Sequence, residues 1–159
     1  HMVAVLAHAL AVIRRDIYAG ELDPEHAAAL ALYHDASEIL TGDLPTPVKY
    51  YNPDIRDAYK AVEEFSARRL LSMLPPELRP AYDPLLLEDR ESPYYALVKA
   101  ADKLSAYIKC VEELKAGNSE FRQAAAQTRQ ALEESRLPEV GYFLENFMPG
   151  FELTLDELQ

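Results

Sequence analysis

Cysteine occurs once, at Cys110, so no disulfide can close within the chain and a zinc site built from several thiolates is excluded. Tryptophan is absent and glycine occurs only five times in 159 residues, whereas Ala, Leu, Glu and Arg are abundant. That balance favours helices over a sheet. Basic residues are scarce: 16 Lys and Arg against 27 Asp and Glu leave a formal charge of -11. Such a surface repels nucleic-acid phosphates, so a DNA- or RNA-binding module is not expected. A small anion stays acceptable where a cation meets it locally. No apolar run reaches the roughly 18 residues of a membrane span. Residues 1–13 lack the basic leader and cleavage pattern of a signal peptide. The expectation is a soluble protein of the reducing cytoplasm, with no membrane partner.

What is present reads as one all-α domain of about six to eight helices over residues 1–159. "HMVAVLAHALAVI" is apolar on nearly every side and has no capping residue before it, so the chain reads as opening inside a buried helix. That helix is expected to run to about Tyr18, with Gly20 ending it. Asp23 as N-cap, Pro24 at the first helical position and Glu25 in the first turn start a second, carrying Ala27 to Ile39 and ending before Gly42. Three prolines in "DLPTPVKYYNPDI" require an extended loop. A long helix follows over about 54–73, with Tyr59, Val62, Phe65, Leu70 and Met73 as its apolar positions. Five prolines in residues 75–93 predict a short helical turn plus loop. Ser92-Pro93 then opens a helix stopped at Gly117-Asn118. Residues 119–135 form another, "PEVGYFLENFM" a shorter one, and Thr154 caps a last start.

The chemistry concentrates in "ALYHDASEILTGDLPTPVKY", residues 31–50. On a continuous helix His34 shares a face with Leu30 and Ala27, Asp35 with Ala31 and Ala28, and Glu38 lies one turn on. These polar groups extend stripes that should face the core. Asp102 repeats the situation among Val98, Ala101, Ser105 and Ala106. An unpaired buried carboxylate costs several kcal/mol, roughly, and needs a partner. Lys103 points about 100° away around its helix. A divalent cation shared by His34, Asp35 and Asp102 answers both burials. Nitrogen and carboxylate oxygen suit zinc, cobalt, manganese, iron or nickel. The plainer reading is capping and core hydrogen bonding, which is what a His-Asp pair at a helix end usually does. His8 reads as a hydrogen-bonded core residue and His26 as surface exposed.

"YHDASEILTGDLPTPVKY" and "LVKAADKLSAYIKCVEELKAGN", with "VAVLAHALA" near the start and "FELTLDEL" near the finish, resemble the HD-domain phosphohydrolases. The resemblance is specifically to the bacterial YfbR-like 5'-deoxynucleotidases. It implies a helical HD fold, often dimeric, that hydrolyses deoxynucleoside 5'-monophosphates to deoxynucleoside and phosphate with a divalent metal such as cobalt, manganese or zinc. Carried over by position, His34, Asp35 and Asp102 match metal ligands. Glu38 matches a catalytic carboxylate beside the metal, and Asp43 a substrate-side acid in the Gly-Asp-Leu-Pro turn.

The resemblance also implies a further His ligand on the first helix, in a Glu-His-Ser stretch whose position falls upstream of His1. His1 itself stands two residues too late, about 200° round the helix. An Arg-Trp segment used near the sugar and phosphate likewise falls upstream. Two other readings follow: an HD enzyme acting on a different nucleotide, or a degenerate HD module for dimerisation or binding. Apolar "YFLENFMPGF" is either a dimer contact or a core-packing helix.

Overall fold

A computed structural model describes residues 1–45, 48 and 51–158. Thr46, Pro47, Lys49 and Tyr50 lie outside it, and with them the middle of the expected proline-rich loop. All regular elements among the described residues are helical: α1 Met2–Asp16, α2 Pro24–Tyr33, α3 Glu38–Thr41, α4 Pro53–Ser72, α5 Arg79–Leu86, α6 Pro93–Lys115, α7 Arg122–Glu134, α8 Pro138–Asn146 and α9 Met148–Glu152. Single 3-10 turns cover Ser119–Phe121 and Leu155–Leu158. The chain divides into two compact units, one of residues 1–31 and 90–159, the other of residues 32–89.

The first unit holds the core. α6 is its axis, with α1, α7 and α9 packed along it and α8 against α1. Leu97, Leu104 and Ile108 of α6, Leu10 of α1, Leu132 of α7 and Val140 of α8 are all fully buried. Each contributes about 1.5–3 kcal/mol of apolar burial. Small residues let the axes approach: Ala7, Ala11, Ala27 and Ala101 are completely enclosed. Only one face of α1 is buried, however. Val5 and His8 are exposed on its other side, which corrects the reading of His8 as a core residue. His26 is half-buried rather than exposed, because its ring meets Tyr94 edge-on at 4.9 Å. "YFLENFMPGF" packs inward through Phe143 and Met148, with Phe147 stacked on Phe143 at 5.1 Å and partly exposed.

Helix ends follow the local chemistry closely. Asp23 accepts from the Glu25 and His26 amides at the start of α2, and Ser92 accepts from Tyr94 at the start of α6. α6 stops in a Schellman motif: Gly117 turns to φ 90°, and the Asn118 and Gly117 amides donate to Glu113 and Leu114 carbonyls. α1 departs from expectation, ending at Asp16. Ala19, not Gly20, takes the positive φ of 53°. Gly20 is needed for space, since a Cβ there would stand 2.8 Å from Arg14 Cγ.

The second unit is built on α4, against which α3 and α5 pack. Asn52 caps α4 by accepting from the Ile55 amide at 2.8 Å. The Arg79 guanidinium closes the other end by donating to the Ser72 and Leu74 carbonyls. Of the apolar positions expected on α4, Val62, Phe65 and Met73 are exposed. The helix is buried instead through Ser66 and Ala67. Residues 79–86 extend the expected single turn between prolines into the full helix α5.

Candidate functional site

The His-Asp pair stands where α2 breaks. The helix ends at Tyr33, residues 34–37 form turns, and α3 begins at Glu38. The switch is visible in the backbone: the Ala36 amide reaches back to Tyr33 O and the Glu38 amide to Asp35 O, three residues rather than four. A continuous helix to Ile39 is therefore not what forms, and the shared stripes expected for His34 and Asp35 are lost with it. The His34 side chain is 14% exposed but that of Asp35 is 53% exposed. Desolvation is thus not what demands a cation at Asp35. Position is the better argument, because His34 Nε2 and Asp35 Oδ2 are held 2.8 Å apart. Edge-to-face packing of Tyr33 on Tyr82 of α5, at 6.0 Å, holds the end of the helix that delivers them.

Glu38 opens α3 and is half-buried. Four residues later the chain leaves that helix through Gly42, whose amide donates to Glu38 O at 2.9 Å. Gly42 adopts φ 71° and ψ 165°, a backbone conformation in which any side chain is strained. Asp43 follows directly and is exposed. The Tyr59 hydroxyl of α4 donates to Gly42 O at 2.8 Å, and Thr41 Oγ1 donates to the same oxygen at 2.9 Å. Tyr59 had been legible only as an apolar position of α4; a phenol at helical spacing gives no sequence signal of the carbonyl it will meet.

His34, Asp35, Glu38 and Asp43 thus belong to one turn–helix–turn of the second unit. Asp102 lies on α6 in the first unit, half-buried. One imidazole nitrogen beside one carboxylate oxygen is a donor set that divalent transition metals accept, so the turn fits such an ion as two of its ligands. Among the described residues, no group of three or more His, Cys, Asp or Glu is gathered around one point. None of the described helices is long and apolar enough to cross a membrane.

Residues 1–151 match the family model described as 5'-deoxynucleotidase YfbR-like. The chain belongs to the YfbR-like 5'-deoxynucleotidase family. Among curated relatives, a 5'-deoxynucleotidase of Vibrio atlanticus is 52% identical over 157 residues, covering 98% of this chain and 81% of the relative. One of Erwinia tasmaniensis is 54% identical over 157 residues, covering 98% and 79%. Among solved structures, an HD-domain phosphohydrolase from Listeria innocua superimposes with a TM-score of 0.79 at 27% identity, covering 94% of this chain and 73% of that one. The all-helical architecture is therefore that of the HD phosphohydrolases.

Proposed function

We infer that the protein is a 5'-deoxynucleotidase, a metal-dependent phosphomonoester hydrolase that converts deoxynucleoside 5'-monophosphates to deoxynucleoside and phosphate. One observation carries this reading. In a chain matching the YfbR-like family over residues 1–151, a single turn–helix–turn presents a His-Asp pair, a half-buried Glu and an exposed Asp in that order.

His34 and Asp35 would hold a divalent cation, cobalt, manganese or zinc, with Asp102 assigned to the same role on sequence resemblance alone. When bound, such an ion supplies Lewis acidity toward phosphoryl oxygen and lowers the pKa of water. Glu38, at the start of α3, orients the attacking water and takes its proton as the oxygen bonds to phosphorus. The bond between phosphorus and the 5'-oxygen breaks in line, and the proton returns to the departing 5'-oxygen. Asp43 faces the substrate from the turn after α3. Positioning and charge neutralisation dominate the rate of such transfers. Within this reading the enzyme is cytoplasmic and a homodimer. Light scattering of the purified protein checks the dimer, and a monomer at assay concentration would overturn it.

The test is phosphate release from dAMP, dCMP and dTMP beside AMP, CMP and UMP, with cobalt or manganese supplied and then chelated. Metal-dependent release from the deoxynucleotides is the expected result. No release from any of the six by the intact protein would overturn the nucleotidase reading.

A further inference from the structure

The Tyr59 side chain of α4 reaches the turn that carries Asp43. Gly42 is the shared point: its amide holds the Glu38 carbonyl at 2.9 Å, and its own carbonyl accepts the Tyr59 hydroxyl at 2.8 Å. Thr41 Oγ1 lies 3.5 Å from the same hydroxyl, so two side-chain hydroxyls converge on one backbone oxygen. α3 is only four residues long and buries none of them. It has little packing of its own to define where it ends. The Gly42 peptide, already in a positive-φ conformation, is thus held from α4 by Tyr59 as well as from α3 by Thr41. Whatever fixes that peptide also fixes the directions in which the chain carries Glu38 and Asp43.

We propose that Tyr59 is a positioning residue for the hydrolysis, acting through the Gly42 carbonyl to set the placement of Asp43 toward the substrate. The proposal rests on the assignment of Asp43 and Glu38 made above. Glu38 is held from two directions, by its helix and by the Gly42 amide, whereas Asp43 is exposed and directly follows the Gly42 peptide. Loss of the hydroxyl therefore weakens substrate placement more than chemistry. The phenol also fits the task physically, since it is half-buried and rigid, and its one polar atom meets a backbone acceptor.

The experiment is steady-state kinetics of Tyr59→Phe, which removes only the hydroxyl, alongside Asp43→Asn and the double variant. Tyr59→Phe is expected to raise KM for a deoxynucleoside monophosphate about fivefold or more with kcat within about twofold. The double variant is expected to be no worse than Asp43→Asn alone, because the two act on one placement. Gly42→Ala strains the same turn through its φ of 71°, although its methyl meets nothing within 4 Å, and should give the same KM-weighted loss. It serves where Tyr59→Phe proves too unstable to assay. Wild-type activity with unchanged KM in both variants would overturn the positioning role, as would effects that multiply in the double variant. Inactivity of the intact wild-type protein would instead overturn the nucleotidase reading itself.

Discussion

At the scale of single residues, the order of side chains in residues 31–50 proposes a site, and the fold changes the reason for proposing it. On a continuous helix His34 and Asp35 would be buried on its core-facing stripes and would need a cation for that reason. The fold keeps His34 close to that expectation and leaves Asp35 half exposed at a turn. Juxtaposition at 2.8 Å replaces desolvation as the reason to expect shared work from them. Glu38 carries the sharpest prediction: Glu38→Ala should lose turnover by at least about a hundredfold, in the range of a removed general base. Its metal content, read by elemental analysis, should stay unchanged. Loss of the metal would make Glu38 structural instead.

A second residue-scale prediction concerns Glu113. Hydrogen bonds from Asn118 and then Lys109 hold its carboxylate below the usual Glu range. A depressed folded-state pKa means that its contribution is complete above the unfolded value of about 4.3 and disappears as pH falls through the folded value. The Tm difference between the wild type and Glu113→Gln should accordingly be constant near neutrality and shrink toward zero as pH falls through the folded-state value.

At the scale of elements, caps were legible because they are local chemistry. Asp23-Pro24, Ser92-Pro93 and Gly117-Asn118 each end or begin a helix through groups within a few residues, and each appears as read. Asn52→Ala, which removes the acceptor for the Ile55 amide, should cost about 1 kcal/mol in urea unfolding. The end of α2 was not legible, since nothing between Ala27 and Ile39 is a strong helix breaker and the outcome depends on packing such as Tyr33 on Tyr82. The same holds for the outward face of α4, whose apolar periodicity predicted burial that Val62 and Phe65 do not have.

Nor did the sequence show the tie between α1 and α8. Arg14 of α1 donates to the Glu139 carboxylate at 3.0 Å, with the Glu139 side chain 1% exposed and that of Arg14 36% exposed. The two lie far apart in the chain and neither sits in a motif. Arg14→Met would strand a buried carboxylate. The cost should be about 2–3 kcal/mol, below the range for fully buried pairs because the guanidinium reaches solvent. Adding Glu139→Gln should recover part of it, a comparison that paired denaturation curves provide.

At the scale of the whole molecule, metal binding and stability are linked. An ion that binds only the folded chain, supplied at about 100 times its Kd, stabilises by about 2.7 kcal/mol. For a chain of this size that is a rise in Tm of roughly 5–10 °C. Cobalt or manganese should produce it, chelation should reverse it, and His34→Ala should abolish it. A thermal shift that survives His34→Ala would place the ion elsewhere.

By itself the sequence determined the helical class, most helix boundaries and the family, and it named the polar residues proposed for the site. Those follow from composition, local capping and the spacing of residues along one chain. Tertiary structure alone decided that α2 breaks at the His-Asp pair, that Asp35 faces solvent, and that Tyr59 grips the Gly42 carbonyl. It also decided that Glu139 is buried against Arg14. Each of these depends on which groups from distant segments reach one another, and such meetings leave no periodic trace in the order of the residues.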